Sequence, residues 1–193
     1  MLSHVFTVLA AVLGVIAQGT GELGDAMEVM NNPPGVTYVA MFEGSEMSPV
    51  MGEVVAMADE SGTGINFELM LMGLPENGGP YSYHLHAAPV PEDGNCTGTM
   101  AHLDPYMRGQ NPPCDMEMPQ TCEVGDLSGK HGKVDGPDVS KSFTDKYAAL
   151  EPSNDAFFGD LSIVIHYANS TRLACANFMV EEMPMQGSGG PRK

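Results

Sequence analysis

Histidine and cysteine carry most of the chemistry that can be read from this 193-residue chain. Six histidines are present. His4 lies in an apolar leader and is set aside. His84 and His86 stand two apart in a stretch with strand character, YSYHLH at 81–86, so their side chains emerge on the same face. Such a pair is a two-nitrogen arm for a metal. His102 follows 16 residues after His86, and His166 follows 64 after that, in another strand-like run, LSIVIHY at 161–167. Four neutral imidazoles around an accessible position suit Cu(II), which takes tetragonal nitrogen ligation and binds tightest among first-row divalent ions. Zinc accepts imidazole as well. His131, in SGKHGKV, reads as a loop histidine bonded to backbone. Cys96, Cys114, Cys122 and Cys175 form no C-x-x-C pair, which speaks against a structural zinc site; their even number suits an oxidising compartment.

The elements that must position these residues are short and extended. Strand-like runs at 36–42, 50–58, 64–71, 81–86, 161–167 and 172–180 are separated by turn signals. The stretch near 143–150 adds a further helix or strand, and the rest of 87–160 reads as long loops rich in Pro, Asp, Gly and Asn. Loops of that length tend to be functional. The expected fold is all-β, an antiparallel Greek-key sandwich or flattened barrel of about eight strands. Gly-rich 18–34 reads as a flexible lead-in, 35–180 as the domain and 181–193 as a disordered tail. Sixteen methionines suggest thioether ligands for copper, but Met41, Met51, Met57, Met70 and Met72 fall inside strand patterns and are read as core.

Composition removes several classes. Eight Lys and Arg against 25 Asp and Glu leave a net charge of −17. A nucleic-acid binder would carry a basic footprint, and docking on anionic lipid would need one too. The apolar run at 5–17 is too short to span a bilayer. With small residues before a cut after Ala17, 1–17 reads as a secretory signal. Asn95 and Asn169 head glycosylation sequons, which agrees with export. Lys130, Lys133, Lys141, Lys146 and Arg172 concentrate in 130–172, as a local basic rim would require.

Several motifs occur in order: YHLHAAPVPEDGNCTGT, AHLDP, CEVGDLSGKHG, LSIVIH and TRLACANF. Together they resemble the copper/zinc superoxide dismutase family across about 36–180. The resemblance implies disproportionation of superoxide to dioxygen and hydrogen peroxide, with His84, His86, His102 and His166 as copper ligands. It pairs Cys96 with Cys175, leaving Cys114 and Cys122 for each other, and makes Arg172 the residue that guides the anion. An extracellular copper-buffering protein is the alternative, although buffering needs neither Arg172 nor Glu123.

Two departures from the family pattern are informative. Between His102 and Val124 there is no histidine, so Asp126 alone survives of the additional zinc ligands and zinc is not expected. His166 and Cys175 are only nine apart, which removes the charged loop that shapes the channel and the dimer face in zinc-bearing relatives, and so favours a monomer. Both departures resemble the copper-only branch of the family. There Glu123 is expected to bond His102 in place of zinc, because metal-bound imidazoles donate their second nitrogen to a carboxylate or carbonyl. Glu123, His102 and Arg172 are thus the residues expected to act in the chemistry.

Overall fold

The computed structural model describes residues 21–45 and 48–181. The expected signal at 1–17 and the tail beyond Glu181 lie outside the described residues. Among the described residues there are seven strands: β1 (Thr37–Glu43), β2 (Met51–Ala58), β3 (Ile65–Met72), β4 (Ser82–His86), β5 (Val139–Asp145), β6 (Ser162–His166) and β7 (Arg172–Val180). One short helix, α1 (Leu127–His131), sits in the long β4–β5 connection. The strand order is β4-β6-β7-β1-β2-β3-β5, and every pair is antiparallel. The chain therefore leaves β4 at one edge, builds β5 at the other, and returns to β6 beside β4.

Alternation builds the core. In β3, Ile65, Phe67, Leu69 and Leu71 face inward and are buried. The sheet curls so that its two edges meet through aromatic rings. Tyr83 of β4 lies 5.9 Å from Phe143 of β5, and Phe143 stacks on Phe67 at 5.5 Å. Phe158 packs against both Phe67 and Phe178, closing the middle.

The structure departs from the sequence-based expectations in four places. The element foreseen near 143–150 is a strand that begins earlier and ends at Asp145, whose carboxylate accepts the amides of Tyr147 and Ala148 and turns the chain. Seven strands therefore stand where about eight were expected. The methionines of β1–β3 are not core: Met41, Met51, Met57, Met70 and Met72 are 42% to 50% exposed. Val54, Ala56, Phe67, Leu69 and Leu71 hold the inward positions, so the methionines occupy the opposite phase. The lead-in is laid along the domain from Gly21 onward. Ala26 and Val29 are buried, and the Asn32 amide bridges Gly64 O and Leu150 N at 3.1 and 2.7 Å.

The fourth difference concerns the basic cluster. Lys130 is fully buried against Asp145, with Nζ 2.6 Å from its Oδ2 and 2.9 Å from Val124 O. His131 also bonds Asp145, at 2.8 Å, and stacks on Phe143 at 4.2 Å; its partner is a carboxylate rather than backbone. Burial alone would raise the Asp145 pKa, but the ammonium and the His131 bond hold that carboxyl well below the usual range. Lys146 pairs with Glu28 at 3.1 Å. Removing one partner of a buried pair leaves an uncompensated charge. Asp145→Asn should therefore lower stability by about 3–5 kcal/mol in urea unfolding. A change below about 1 kcal/mol would show that the pair does not anchor α1 to the β5 edge.

Candidate metal centre

Three chain segments converge at the edge of β4. Leu85 accepts the amide of Leu103, Leu103 accepts that of Gly125, and Gly125 accepts that of Leu85, at 2.7–2.9 Å. A Cβ on Gly125 would lie 2.4 Å from Leu85 O and 2.8 Å from Leu103 N, so only glycine permits this approach. The consequence is positional. His84 and His86 on β4, His102 beside them and Glu123 next to Gly125 are brought to one place. His166 enters from β6, whose Val164 pairs with His84.

Within this place His84, His86, His102 and His166 each aim one ring nitrogen inward, and these atoms lie within 4.8 Å of one another. The opposite nitrogen of every ring is engaged. His86 Nδ1 donates to Met100 O at 3.0 Å, and His166 Nδ1 donates to Ser170 O at 3.1 Å. His102 Nδ1 donates to Glu123 Oε2 at 2.6 Å. His84 Nε2 lies 3.0 Å from Ser128 Oγ and 3.3 Å from Asp126 Oδ1. These partners fix the tautomers and leave four lone pairs facing one another. His84 Nδ1 is buried with no hydrogen-bond partner, and His86 Nε2 lies only 3.2 Å from His166 Nε2. Two lone pairs at that distance repel unless a cation stands between them, so the donor set fits a metal ion taking four nitrogens.

Burial keeps the rings of His84, His86 and His166 neutral. It lowers the pKa of His86 to about 3 and that of His166 to about 4, with the bonds to Met100 O and Ser170 O opposing the shift. His84 is lowered as well, by burial, against the opposing pull of Asp126. Protons therefore compete little with a metal at neutral pH.

The histidines line an open cavity of about 560 Å³ that also presents Arg108, Lys133 and Arg172. Arg172 donates to Cys96 O and Met100 O, which ties it to the loop that also accepts His86. Cys96 is joined to Cys175 and Cys114 to Cys122, so among the described residues no cysteine is free. A 79-residue separation makes the first bridge worth roughly 4 kcal/mol or more in the chain-entropy model. The second closes the loop just before Glu123. Asn95 and Asn169 are exposed.

The expected basic rim is only partly present: Lys133 and Arg172 reach the cavity, whereas Lys130 is buried in its ion pair. Sequence reading missed Arg108, a buried arginine that donates to Thr121 O, Gly109 O and Pro113 O and so shapes the cavity wall. Nothing in its neighbourhood in sequence marked it. Ser128 and Asp126 were missed as the orienters of His84. The D-L-S-G spacing, in which Asp126 caps α1 by accepting from Gly129 N, was the available signal.

No family model matches the chain. Among curated proteins it is 41% identical over 188 residues to the cell surface Cu-only superoxide dismutase of Arthroderma benhamiae, covering 83% of this chain and 50% of that protein. It is 37% identical over 154 residues to the cell surface Cu-only superoxide dismutase 5 of Candida albicans, covering 80% of this chain and 65% of that one. The chain thus spans half to about two thirds of the length of these relatives. The solved Cu(II) form of Candida albicans superoxide dismutase 5 matches with a TM-score of 0.71 and 35% identity, over 81% of this chain and 99% of that one.

The lowered imidazoles have a consequence for the metal-free protein. An unfolded chain takes up protons on these histidines near pH 6.5, whereas the folded one refuses them until about pH 4 at His166. Between those values the unfolded state binds more protons, so stability falls as pH falls. In His166→Gln that component is gone. The variant should lose about 3 kcal/mol less than wild type between pH 6.5 and 4, by urea unfolding of the metal-free proteins. Parallel profiles would contradict the assignment.

Proposed function

Because the chain belongs to the copper-only branch of the copper/zinc superoxide dismutase family, we propose that it is a secreted superoxide dismutase of that kind, converting superoxide to dioxygen and hydrogen peroxide without zinc. One observation carries the reading: four lone-pair nitrogens meet within 4.8 Å, and the ring of His102 is backed by a carboxylate at 2.6 Å rather than by further histidines. The ligands in this reading are Nδ1 of His84 and Nε2 of His86, His102 and His166. Copper held there would supply one-electron exchange with superoxide in both directions.

The chain's own residues do the rest. Arg172 offers a fixed positive charge and a forked donor beside the cavity, which holds a small anion against the repulsion of a body at −17. Screening confines that body's repulsion to about 8 Å at physiological salt, so the charges lining the cavity decide the final approach. Glu123 keeps a proton on Nδ1 of His102 and so holds that ring's orientation and tautomer. A proton carried on Nε2 of the same ring faces the cavity, where peroxide needs it. Export is supported by the signal-like 1–17 and by the two disulfides, which suit an oxidising compartment.

The direct test is metal analysis of the secreted protein together with a superoxide assay. About one copper per chain, no stoichiometric zinc and fast disproportionation are expected. Equimolar zinc, or copper without turnover, would overturn the reading and favour a copper buffer. Glu123→Gln should keep fold and copper but lower activity about 10–100-fold, most at high pH where protons are scarce. Activity within a factor of about two of wild type from pH 6 to 9, at equal copper loading, would remove Glu123 from the mechanism.

A further inference from the structure

The most unusual surface of the molecule lies away from the histidines. Sixteen methionines are present, and five of them project outward from β1, β2 and β3. No leucine, isoleucine or aromatic side chain shares the outward positions of these three strands, and no basic residue does either. Carboxylates interleave instead. Across the strands, Glu43 faces Met51 and Met51 faces Met72; one row on, Met41 faces Glu53 and Glu53 faces Met70.

We propose that this face is a second metal site, a thioether site for Cu(I) built from Met51, Met70 and Met72 with Met41 beside them. Directly opposed residues such as Met51 and Met72 place their Cβ atoms about 4.5–5.5 Å apart, and Met70 stands roughly 7 Å along the same strand face from Met72. Each thioether swings on three rotatable bonds, so three sulfurs from these positions can close on one ion. The choice of ion follows from the donors. Hard cations take six or more oxygens, whereas thioethers select Cu(I). Glu43 and Glu53 supply local negative charge without an adjacent lysine to cancel it, which raises the concentration of any cation at this face.

The same pattern argues against an apolar docking surface, because Glu53 separates Met41 from Met70 and Glu43 ends the Met51–Met72 row. Placement adds to the argument. A cleft of about 680 Å³ starts at Met41 and Glu43 and reaches Arg172, which also borders the histidine cavity. The site stands whatever the histidines hold.

The test uses the full chain labelled with [¹³C-methyl]methionine, kept free of oxygen and preloaded with one equivalent of Cu(I). On adding a second equivalent, the methyl resonances of Met51, Met70 and Met72 should shift and saturate. X-ray absorption should then gain copper–sulfur scattering. Met70→Leu combined with Met72→Leu preserves volume at exposed positions, so the fold survives. That variant should bind the second equivalent at least roughly ten-fold more weakly while keeping the first, with superoxide turnover unchanged. The proposal is overturned if no saturable shift occurs, if Zn(II) causes the same shifts, if the double variant binds as wild type, or if exposed Met27, Met107 and Met116 respond equally. Should the histidines fail to take the first equivalent, the methyl readout still decides this site by itself.

Discussion

Four imidazole lone pairs directed at one point repel each other until a cation stands among them, and the rest of this structure holds them there regardless. His86 and His166 present their nitrogens at 3.2 Å, closer than two unprotonated acceptors would choose. Burial denies them the usual escape, because both pKa values are pushed far below neutrality. What remains is restraint from behind. Met100 O, Ser170 O, Glu123 and the Asp126–Ser128 pair each grip the far nitrogen of one ring, so the acceptors that fix orientation are spread over three separate segments.

Those segments need anchors of their own. Gly125 lets the strand edge, the His102 segment and the Glu123 segment approach to hydrogen-bonding distance, a contact any side chain would pry apart. Asp126 serves twice, orienting His84 and capping α1. One turn later in the same helix, Lys130 is locked to Asp145 at the far sheet edge and also grips Val124 O. The segment that would carry zinc ligands in other members of the family is thus held by a buried ion pair, a cap and the Cys114–Cys122 bridge. Protein contacts replace an ion as the local scaffold.

The architecture and the histidine quartet were legible because both depend on local pattern. Strand-like runs between turn signals mark six of the seven described strands, and the H-x-H spacing puts His84 and His86 on one face whatever happens elsewhere. Burial of charge was not legible. Lys130 looked like a surface lysine since its partner Asp145 is fifteen residues away and joined only through the curl of the sheet. Arg108 is hidden for the same reason, its acceptors being backbone carbonyls that composition does not display. The methionines failed for another cause. Their hydrophobic class suggested the core, while their phase relative to Val54, Ala56, Phe67 and Leu69 already placed them on the other side; phase should have outranked class.

Residues 21–34 give the domain a mechanical property that its site chemistry does not advertise. Leu23 N bonds Tyr106 O, Ala26 N bonds Gln120 O and Met27 N bonds the Tyr106 hydroxyl, so this strap is stitched to both ends of the 106–120 loop. Two residues past Gln120 the loop is bridged by Cys122, and the next residue is Glu123. Tension applied to the chain upstream of Gly21 would be relayed along the strap to the carboxylate that steadies His102. The strap makes the position of the chain at Gly21 and the alignment of one imidazole parts of a single lever.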